Sequence, residues 1–308
     1  GYLDFIEKNE IHKSWNNLMS VRKDVLKGKA IFADFLYYKN QPVTCASFLK
    51  VYNKTYLAQH LATVSKSTEK IKALKQIYSA SQNWLIESDK CEYFLTYFIN
   101  EKWHERMYVS LIELINDKNN TNYDYMKRFK TVICKTRFYN TNIFVRECKD
   151  NEDFMKFFSD NYSKLEAEVY SYNNDFFLSE MNKVYKNFGL NIERVLLEVL
   201  YNNSCIGYIV AETYTSGLNI CNALDGCRIY LLRKYYDLIN ETVKTMIPVV
   251  NKLYEKYGKY SYSIFVNSEN SSSLSTNIDG VELEMELGRL MSTRKGFGNY
   301  NRIYEFIM

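Results

Sequence analysis

Proline is scarce in this chain of 308 residues, which contains only Pro42 and Pro248. This scarcity excludes a long proline-rich linker or low-complexity segment. Apolar runs are also short: none approaches the roughly 18 consecutive residues that a membrane-spanning helix requires, and no signal peptide is visible. The sequence therefore predicts a chain without a membrane span.

Metal-ligand and disulfide patterns are missing as well. The seven cysteines include no CxxC pair, and most lie in apolar, strand-like runs, where cysteine behaves as a small hydrophobic residue. The three histidines, His12, His60 and His104, are scattered along the sequence. These patterns predict free thiols in a reducing cytoplasm, a cytoplasmic location and no metal site.

Neither sign of charge dominates, because 40 Lys and Arg residues are offset by 36 Asp and Glu residues, for a net charge of +4. Nucleic-acid-binding proteins usually concentrate basic charge on one face, whereas here the two signs are mixed along most segments. The sequence therefore predicts no nucleic-acid partner, which also disfavours a tRNA-dependent transferase. With 46% hydrophobic residues, including 28 Tyr and 18 Phe, the chain can form two sizeable cores.

The main positive feature is an internal repeat. The segment YKNQPVTCASFLKVYNKTYLAQHLA, from Tyr38, aligns without a gap with YNNSCIGYIVAETYTSGLNICNALD, from Tyr201, which begins 163 residues later. Each copy starts with a polar turn, continues through two β-rich runs, and leads into a long helix and an aromatic strand. Repetition on this scale predicts two similar domains, residues 1–138 and 139–308.

Hydrophobic periodicity predicts the elements of each half. In the first half we expect a helix over 4–27, strands over 30–38, 43–52 and 55–62, a helix to residue 87, strands over 90–99 and 106–115, and a polar linker from residue 117. In the second half we expect a strand from residue 142, helices over 150–165 and 175–188, strands over 195–201, 205–214 and 218–224, a helix over 236–257, and strands over 260–266, 281–291 and 300–308. This order predicts a mixed α/β (α+β) sheet with a crossover helix. Ligands of such sheets bind where strands diverge beyond their carboxyl ends.

The predicted order resembles the GNAT fold of acyl-CoA N-acyltransferases. Three segments are further similar to tandem GNAT-like regions of bacterial proteins that often carry an upstream PilZ domain, a cyclic di-GMP receptor: QPVTCASFLKVYNKTYLAQHLA (41–62), FINEKWHERMYVSL (98–111) and TSGLNICNALDGCRIYLL (215–232). The resemblance implies two tandem GNAT-like domains, the first lacking or altering its first strand. It also implies acyl-CoA or acyl carrier protein as co-substrate, a small-molecule amine as acceptor, and a PilZ domain upstream of residue 1.

The resemblance implies that a loop entering a helix holds the CoA pyrophosphate through its backbone N–H groups. In typical members of the family this loop has the sequence Arg/Gln-x-x-Gly-x-Gly/Ala. Neither HLATVSKST (60–68) nor ALDGCRIYLL (223–232) matches that pattern. Ser65, Lys66 and Ser67 of the first loop are candidates for phosphate contact. The alternative is an ordinary helix cap with a solvated lysine.

The second loop offers Gly226 and Arg228 as cofactor-binding candidates. Asp225 beside them would repel a pyrophosphate, so a turn followed by a surface arginine is the alternative. Asn267 and Asn270 follow a predicted strand, where the resemblance implies contact with pantetheine. Turn formation is the alternative for both asparagines.

The implied reaction needs a base that takes a proton from the amine and an acid that reprotonates the thiolate. Glu198 and Glu212, on predicted strands, are candidate bases, and Glu212 is the preferred one. His60, at the end of a strand, is a candidate base or substrate ligand, and Tyr262 is the candidate acid. The alternatives are solvent-facing carboxylates, a structural histidine and a core tyrosine.

Two functions therefore remain open from the sequence. One is an N-acyltransferase that uses acyl-CoA or an acyl carrier protein; the other is a non-catalytic GNAT-like module that binds a ligand or transmits a signal. Loss of the phosphate-loop motif in both copies argues against the enzyme. An acyl carrier protein presents pantetheine without the nucleotide of CoA, so the loss would matter less with that donor.

Overall fold

The computed structural model describes residues 31–39, 41–63, 70–99, 103–133, 141–215, 218, 223–268 and 278–307. The predicted helix over 4–27 lies outside the described residues. Ser65, Lys66, Ser67 and Asn270 lie outside them too, as does the side chain of His60.

The described residues of the first half form five strands and two helices: β1 (Phe32–Lys39), β2 (Gln41–Tyr52), β3 (Thr55–Thr63), α1 (Lys70–Glu87), β4 (Tyr93–Ile99), α2 (Trp103–Ile115) and β5 (Thr121–Val132). Those of the second half form β6 (Ile143–Cys148), α3 (Glu152–Asn161), α4 (Lys164–Val169), α5 (Ser179–Lys186), β7 (Ile192–Tyr201), β8 (Ser204–Tyr214), β9 (Gly226–Leu231), a 3₁₀ helix (Arg233–Leu238), α6 (Ile239–Lys256), β10 (Ser261–Asn267), β11 (Val281–Thr293) and α7 (Arg294–Ile307).

The strands make one sheet in the order β1-β2-β3-β4-β11-β5-β10-β9-β8-β7-β6. Two pairs are parallel, β3 with β4 and β9 with β10, and each is connected by a helical crossover. The other pairs are antiparallel. The predicted fold class, a mixed α/β sheet built from two similar strand orders, is confirmed. Among the described residues, the first half has no counterpart of β6.

In the sheet, the last strand of each half is inserted between two strands of the other half or of the exchanged pair: β11 lies between β4 and β5, and β5 lies between β11 and β10. Strand β11, from the second half, pairs with β4 on one side and β5 on the other. Strand β5, from the first half, pairs with β11 and β10. We call this arrangement the strand exchange. One sheet therefore crosses the proposed division at residue 138, which stays a prediction.

The helices cover both faces of the sheet. Alternation along β4 separates the faces, because Phe94 and Phe98 pack with α2 and α7 whereas Leu95 packs on the opposite side. Helix α6 covers the second half on the same face as α2 and α7. Helices α3 to α5 cover the opposite face with an aromatic core that includes residues of both halves, such as Tyr52 and Tyr170.

Two predicted strands are helices. The segment predicted as a strand over 106–115 belongs to α2, and the one over 300–308 belongs largely to α7. Their apolar residues recur at helical spacing, as Tyr108, Leu111 and Ile112 do in α2. This helical period outweighs the preference for strand that their β-branched and aromatic residues bring. The predicted linker from Asp117 is also wrong, because it leads directly into the central strand β5.

The gapless repeat needs correction as well. The β1–β2 and β7–β8 hairpin turns fit the offset of 163 residues, but β3 begins at Thr55 and β9 at Gly226, which is 171 residues later. The second half therefore has eight extra residues (171 − 163) between the start of β8 and the start of β9, compared with the same interval from β2 to β3. The strand predicted over 218–224 is wrong where the chain is described, since Leu218 and residues 223–225 are not in a strand.

Candidate functional site

The parallel strands β3 and β4 diverge after a short contact. Their pairing covers only Thr55 with Tyr93, Tyr56 with Phe94, and Leu57 with Leu95. On its other side β3 carries a bulge, because Ser47 pairs with His60 and Phe48 with Ala58, which leaves Gln59 as the extra residue. A bulge bends its strand and increases the local twist. We call the gap between residues 58–63 of β3 and 96–99 of β4 the first opening.

The second half repeats this geometry. Strands β9 and β10 pair only through Gly226 with Ser263, Cys227 with Ile264, and Arg228 with Phe265. Beyond these pairs lies the second opening, between residues 229–231 of β9 and 266–267 of β10. Both openings lie beyond the carboxyl ends of a parallel pair, where ligands of α/β sheets bind.

Aromatic side chains fill the second opening. The Tyr162 hydroxyl donates a 2.7 Å hydrogen bond to the Leu231 carbonyl, at the end of β9. The Tyr230 ring packs edge-on against Phe158 and Tyr162, with centroid distances of 5.1 and 5.0 Å. Every residue of β9 is buried. An inserted ligand arm would have to displace these contacts.

The first opening ends at the surface. Ile99, the last residue of β4, is 47% exposed. Gln59, the extra residue of the bulge, is buried, and its Nε2 donates a 2.9 Å hydrogen bond to the Leu218 carbonyl of the second half. His60 follows on β3, so its backbone borders the first opening. The first opening is therefore the candidate binding site.

Glu212 is fully buried on β8 and does not face solvent. Its Oε1 accepts a 2.7 Å hydrogen bond from Arg194 Nε, and its Oε2 accepts bonds of 2.9 Å from Arg228 and from the Tyr52 hydroxyl. Burial alone would raise the pKa of Glu212, but the charges of Arg194 and Arg228 hold the pKa below its ordinary value. This environment suits an ion-pair partner better than a general base.

Gly226 and Arg228 occupy strand positions rather than a loop. Arg228 is buried, with its guanidinium 4.2 Å from the centre of the Tyr170 ring, so it is not the surface arginine that the alternative interpretation expected. A Cβ atom at Gly226 would lie 2.6 Å from the Phe265 ring, so close strand packing accounts for this glycine. These contacts do not favour a phosphate site at either residue.

Tyr262 and Asn267 lie apart from this cluster. Tyr262 is buried on the face covered by α6, where its ring stacks on Tyr254 at 4.5 Å and its hydroxyl donates to Asn251 Oδ1 at 3.1 Å. Asn267 ends β10 and borders the second opening. The structure thus brings Glu212 and Arg228 together but leaves Tyr262 on the opposite face.

Sequence reasoning missed most of the buried charge network. The network consists of three arginines and three carboxylates: Arg194, Arg228, Arg289, Asp124, Glu166 and Glu212. Arg289 of β11 pairs with Asp124 of β5 and donates a 2.6 Å hydrogen bond to Glu166 of α4, so the network joins both halves. Arg194 and Glu212 face each other across β7 and β8. The signal in the sequence that could have indicated this network is a pair of opposite charges, Arg194 and Glu212, within two otherwise apolar strands.

Within the part of the chain that the structure describes, no cluster of three or more His, Cys, Asp or Glu side chains could hold a metal ion. No described helix combines the length and the apolar character needed to cross a membrane.

No protein-family model matches the chain, and no curated protein matches its sequence. Several solved structures align with most of the chain at low identity. A tandem GNAT protein from the clavulanic acid biosynthesis pathway is 9% identical over 93% of this chain and 95% of its own, with a TM-score of 0.43. A GCN5-related N-acetyltransferase from Kribbella flavida is 7% identical over 88% of this chain and 95% of its own, with a TM-score of 0.43. One from Sphaerobacter thermophilus is 10% identical over 88% of this chain and 85% of its own, with a TM-score of 0.45. Scores and identities this low transfer no activity or substrate.

Proposed function

We propose that this chain is an N-acyltransferase whose first opening binds the thioester arm of acyl-CoA or of an acyl carrier protein, for transfer to an amine. One observation carries the proposal: β3 and β4 stop pairing after Leu57 and Leu95, at the Gln59 bulge, while β4 continues to the exposed Ile99. Beyond the last pair the facing strand edges no longer bond to each other. The amides of a pantetheine arm suit such an edge, as an added strand would.

Only the first half is proposed to act on a thioester. In the second half, Tyr162 already bonds the Leu231 carbonyl, and the aromatic residues of the α3–α4 region pack against Tyr230. The two halves thus share a strand order, but the exposed Ile99 lies beside the first opening, whereas every residue of β9 beside the second is buried. Such a difference is expected of a duplicated fold, because function depends on the site and not on the fold.

Several roles stay proposals. His60 borders the first opening and is the candidate base. Ser65, Lys66 and Ser67 follow β3 and are the candidates for contact with a CoA phosphate. A donor carried by an acyl carrier protein would not need them, since its pantetheine lacks the nucleotide. The upstream PilZ domain also stays a prediction.

Thermal unfolding with acetyl-CoA, longer acyl-CoAs, pantetheine and holo acyl carrier protein tests the proposal. A ligand present at 100 times its Kd stabilises the folded state by about 2.7 kcal/mol. We expect Ile99→Trp, at the mouth of the opening, to remove this stabilisation. Leu36→Trp is the matched control, because Leu36 is an exposed aliphatic residue of the distant edge strand β1.

Absence of stabilisation by every donor would refute the proposal. Stabilisation that persists in Ile99→Trp would place the ligand elsewhere. Where a donor binds, mass spectrometry of a panel of primary amines would detect acyl transfer. Binding without transfer to any amine would instead favour the non-catalytic module.

A further inference from the structure

Tyr97 connects the first opening with the second half. It lies on β4, two residues beyond the last pair with β3. Its hydroxyl is 2.8 Å from the Tyr170 hydroxyl and accepts a 3.3 Å hydrogen bond from Arg228 Nη2. Its ring stacks on Phe265, with 6.1 Å between the centroids. Every one of these partners belongs to the second half.

Arg228 is itself held from several sides. Its Nη1 donates to Glu212, and its guanidinium lies between the rings of Tyr170 and Phe265, at 4.2 and 5.6 Å from their centres. A guanidinium donates along fixed directions in its plane, so a planar group that is paired and stacked keeps one orientation. Arg228 therefore presents its Nη2 to Tyr97 in a defined position.

The Tyr97 hydroxyl stays protonated. Burial raises its pKa above the ordinary value, and this effect outweighs the opposing charges of Arg228 and Arg289. A tyrosine hydroxyl has one proton to donate and can also accept. Because Arg228 donates to the Tyr97 oxygen, the Tyr97 proton is directed away from Arg228. Tyr170, whose hydroxyl accepts from Arg289 at 3.2 Å, is its present partner.

We propose, building on the proposed function, that Arg228 is a positioning residue for the first opening. It holds the Tyr97 hydroxyl from the second half, so that the Tyr97 ring, at the edge of the first opening, forms the wall against which the thioester arm lies. Tyr97 is then a binding residue, and the charge network of Arg228 and Glu212 acts through it. In this arrangement residues of the second half hold in place one wall of the binding site of the first half.

Calorimetric titration with acetyl-CoA tests the inference in the full chain. We expect Tyr97→Phe to raise the Kd about fivefold to tenfold, the effect of losing one hydrogen bond and the orientation it gives. Tyr185→Phe is the matched control, because the Tyr185 hydroxyl also joins the halves, through a 2.7 Å bond to the Lys50 carbonyl, away from the opening. Both variants should lose similar stability, but Tyr185→Phe should keep the wild-type Kd.

Arg228 is tested by a conservative and a neutral replacement. Arg228→Lys, which keeps the charge, should bind acetyl-CoA more tightly than Arg228→Met, measured at a temperature where both are folded. If either Arg228 variant fails to fold, the comparison of Tyr97→Phe with Tyr185→Phe decides. A wild-type Kd in Tyr97→Phe overturns the inference and leaves the proposed function intact. A wild-type chain that binds no thioester overturns both.

Discussion

The Tyr52 hydroxyl donates a 2.9 Å hydrogen bond to Glu212, although 160 residues separate the two in the sequence. Tyr52 belongs to β2 of the first half and Glu212 to β8 of the second, and both are fully buried. Burial raises the pKa of Tyr52 well above its ordinary value, with the Glu212 charge adding to the effect, so the hydroxyl remains a donor. The two halves therefore share one polar core.

We expect replacement of Glu212 to lower the free energy of unfolding. Glu212→Gln leaves Arg194 and Arg228 buried without their carboxylate, and breaking a buried ion pair in this way typically costs about 3–5 kcal/mol. Urea unfolding measures the loss. The control is Glu198→Gln, because Glu198 pairs with the exposed Arg146 and should lose no more than about 1 kcal/mol. Equal effects of the two substitutions would contradict the importance of the buried network.

Glu212 should also make stability depend on pH. Its folded-state pKa is lowered, so the unfolded chain takes up a proton first as the pH falls. The contribution of Glu212 is therefore present above the ordinary glutamate pKa of about 4.3, and it is lost as the pH falls through the lowered folded value. We expect a smaller decrease in the free energy of unfolding between about pH 5 and pH 3 in Glu212→Gln than in the wild type. Identical pH profiles from urea titrations would exclude this role.

Neither half should fold by itself. Residues 1–138 would lack β11 between β4 and β5, and residues 139–308 would lack β5 between β10 and β11. Each fragment would then expose unpaired strand edges, which favour aggregation. We expect the separate fragments to be insoluble or without a cooperative unfolding transition, and co-expression to restore a soluble complex. Cooperative unfolding of either fragment alone, measured by circular dichroism, would contradict this.

Two glycine substitutions test the position of β11. A Cβ atom at Gly288 of β11 would lie 2.0 Å from the Phe98 ring of β4, so Gly288→Ala should destabilise the fold by about 1–3 kcal/mol. Gly298→Ala in α7 is the control, because its Cβ atom meets nothing within 4 Å and alanine is the better helix former by about 1 kcal/mol. Adding Phe98→Leu should recover part of the loss in Gly288→Ala. A neutral Gly288→Ala would argue that β11 does not lie beside β4.

Local pattern predicted much of the sheet. The hairpins around residue 40 and at Asn202-Asn203, the strand β3 and the long helices α1 and α6 all follow from alternation and turn chemistry. The composition of MYVSLIELI predicts a strand where α2 forms, because the segment is rich in residues that both structures accept. Its contacts with the neighbouring strands β4 and β5, and with α7 from a distant part of the chain, select the helical face.

The candidate site was harder to predict, because its features depend on contacts between distant residues. Nothing near Glu212 in the sequence indicates that Tyr52 and Arg228 surround it. Likewise Tyr97, one of 28 tyrosines, becomes distinctive only through its bond to Arg228. The β-rich repeat correctly indicated two similar halves. It contained no information on the exchange of β5 and β11, since that exchange preserves the order of strands along the chain.

The strand exchange has a consequence for how such a chain can originate. A half that ends in its own closing strand can complete such a central sheet by exchanging that strand with a second copy. The described strands are arranged as in such a swapped dimer, with the two halves joined in one chain between β5 and β6. Joining two copies in this way lets each half change sequence independently, because the covalent connection keeps the exchanged strands together.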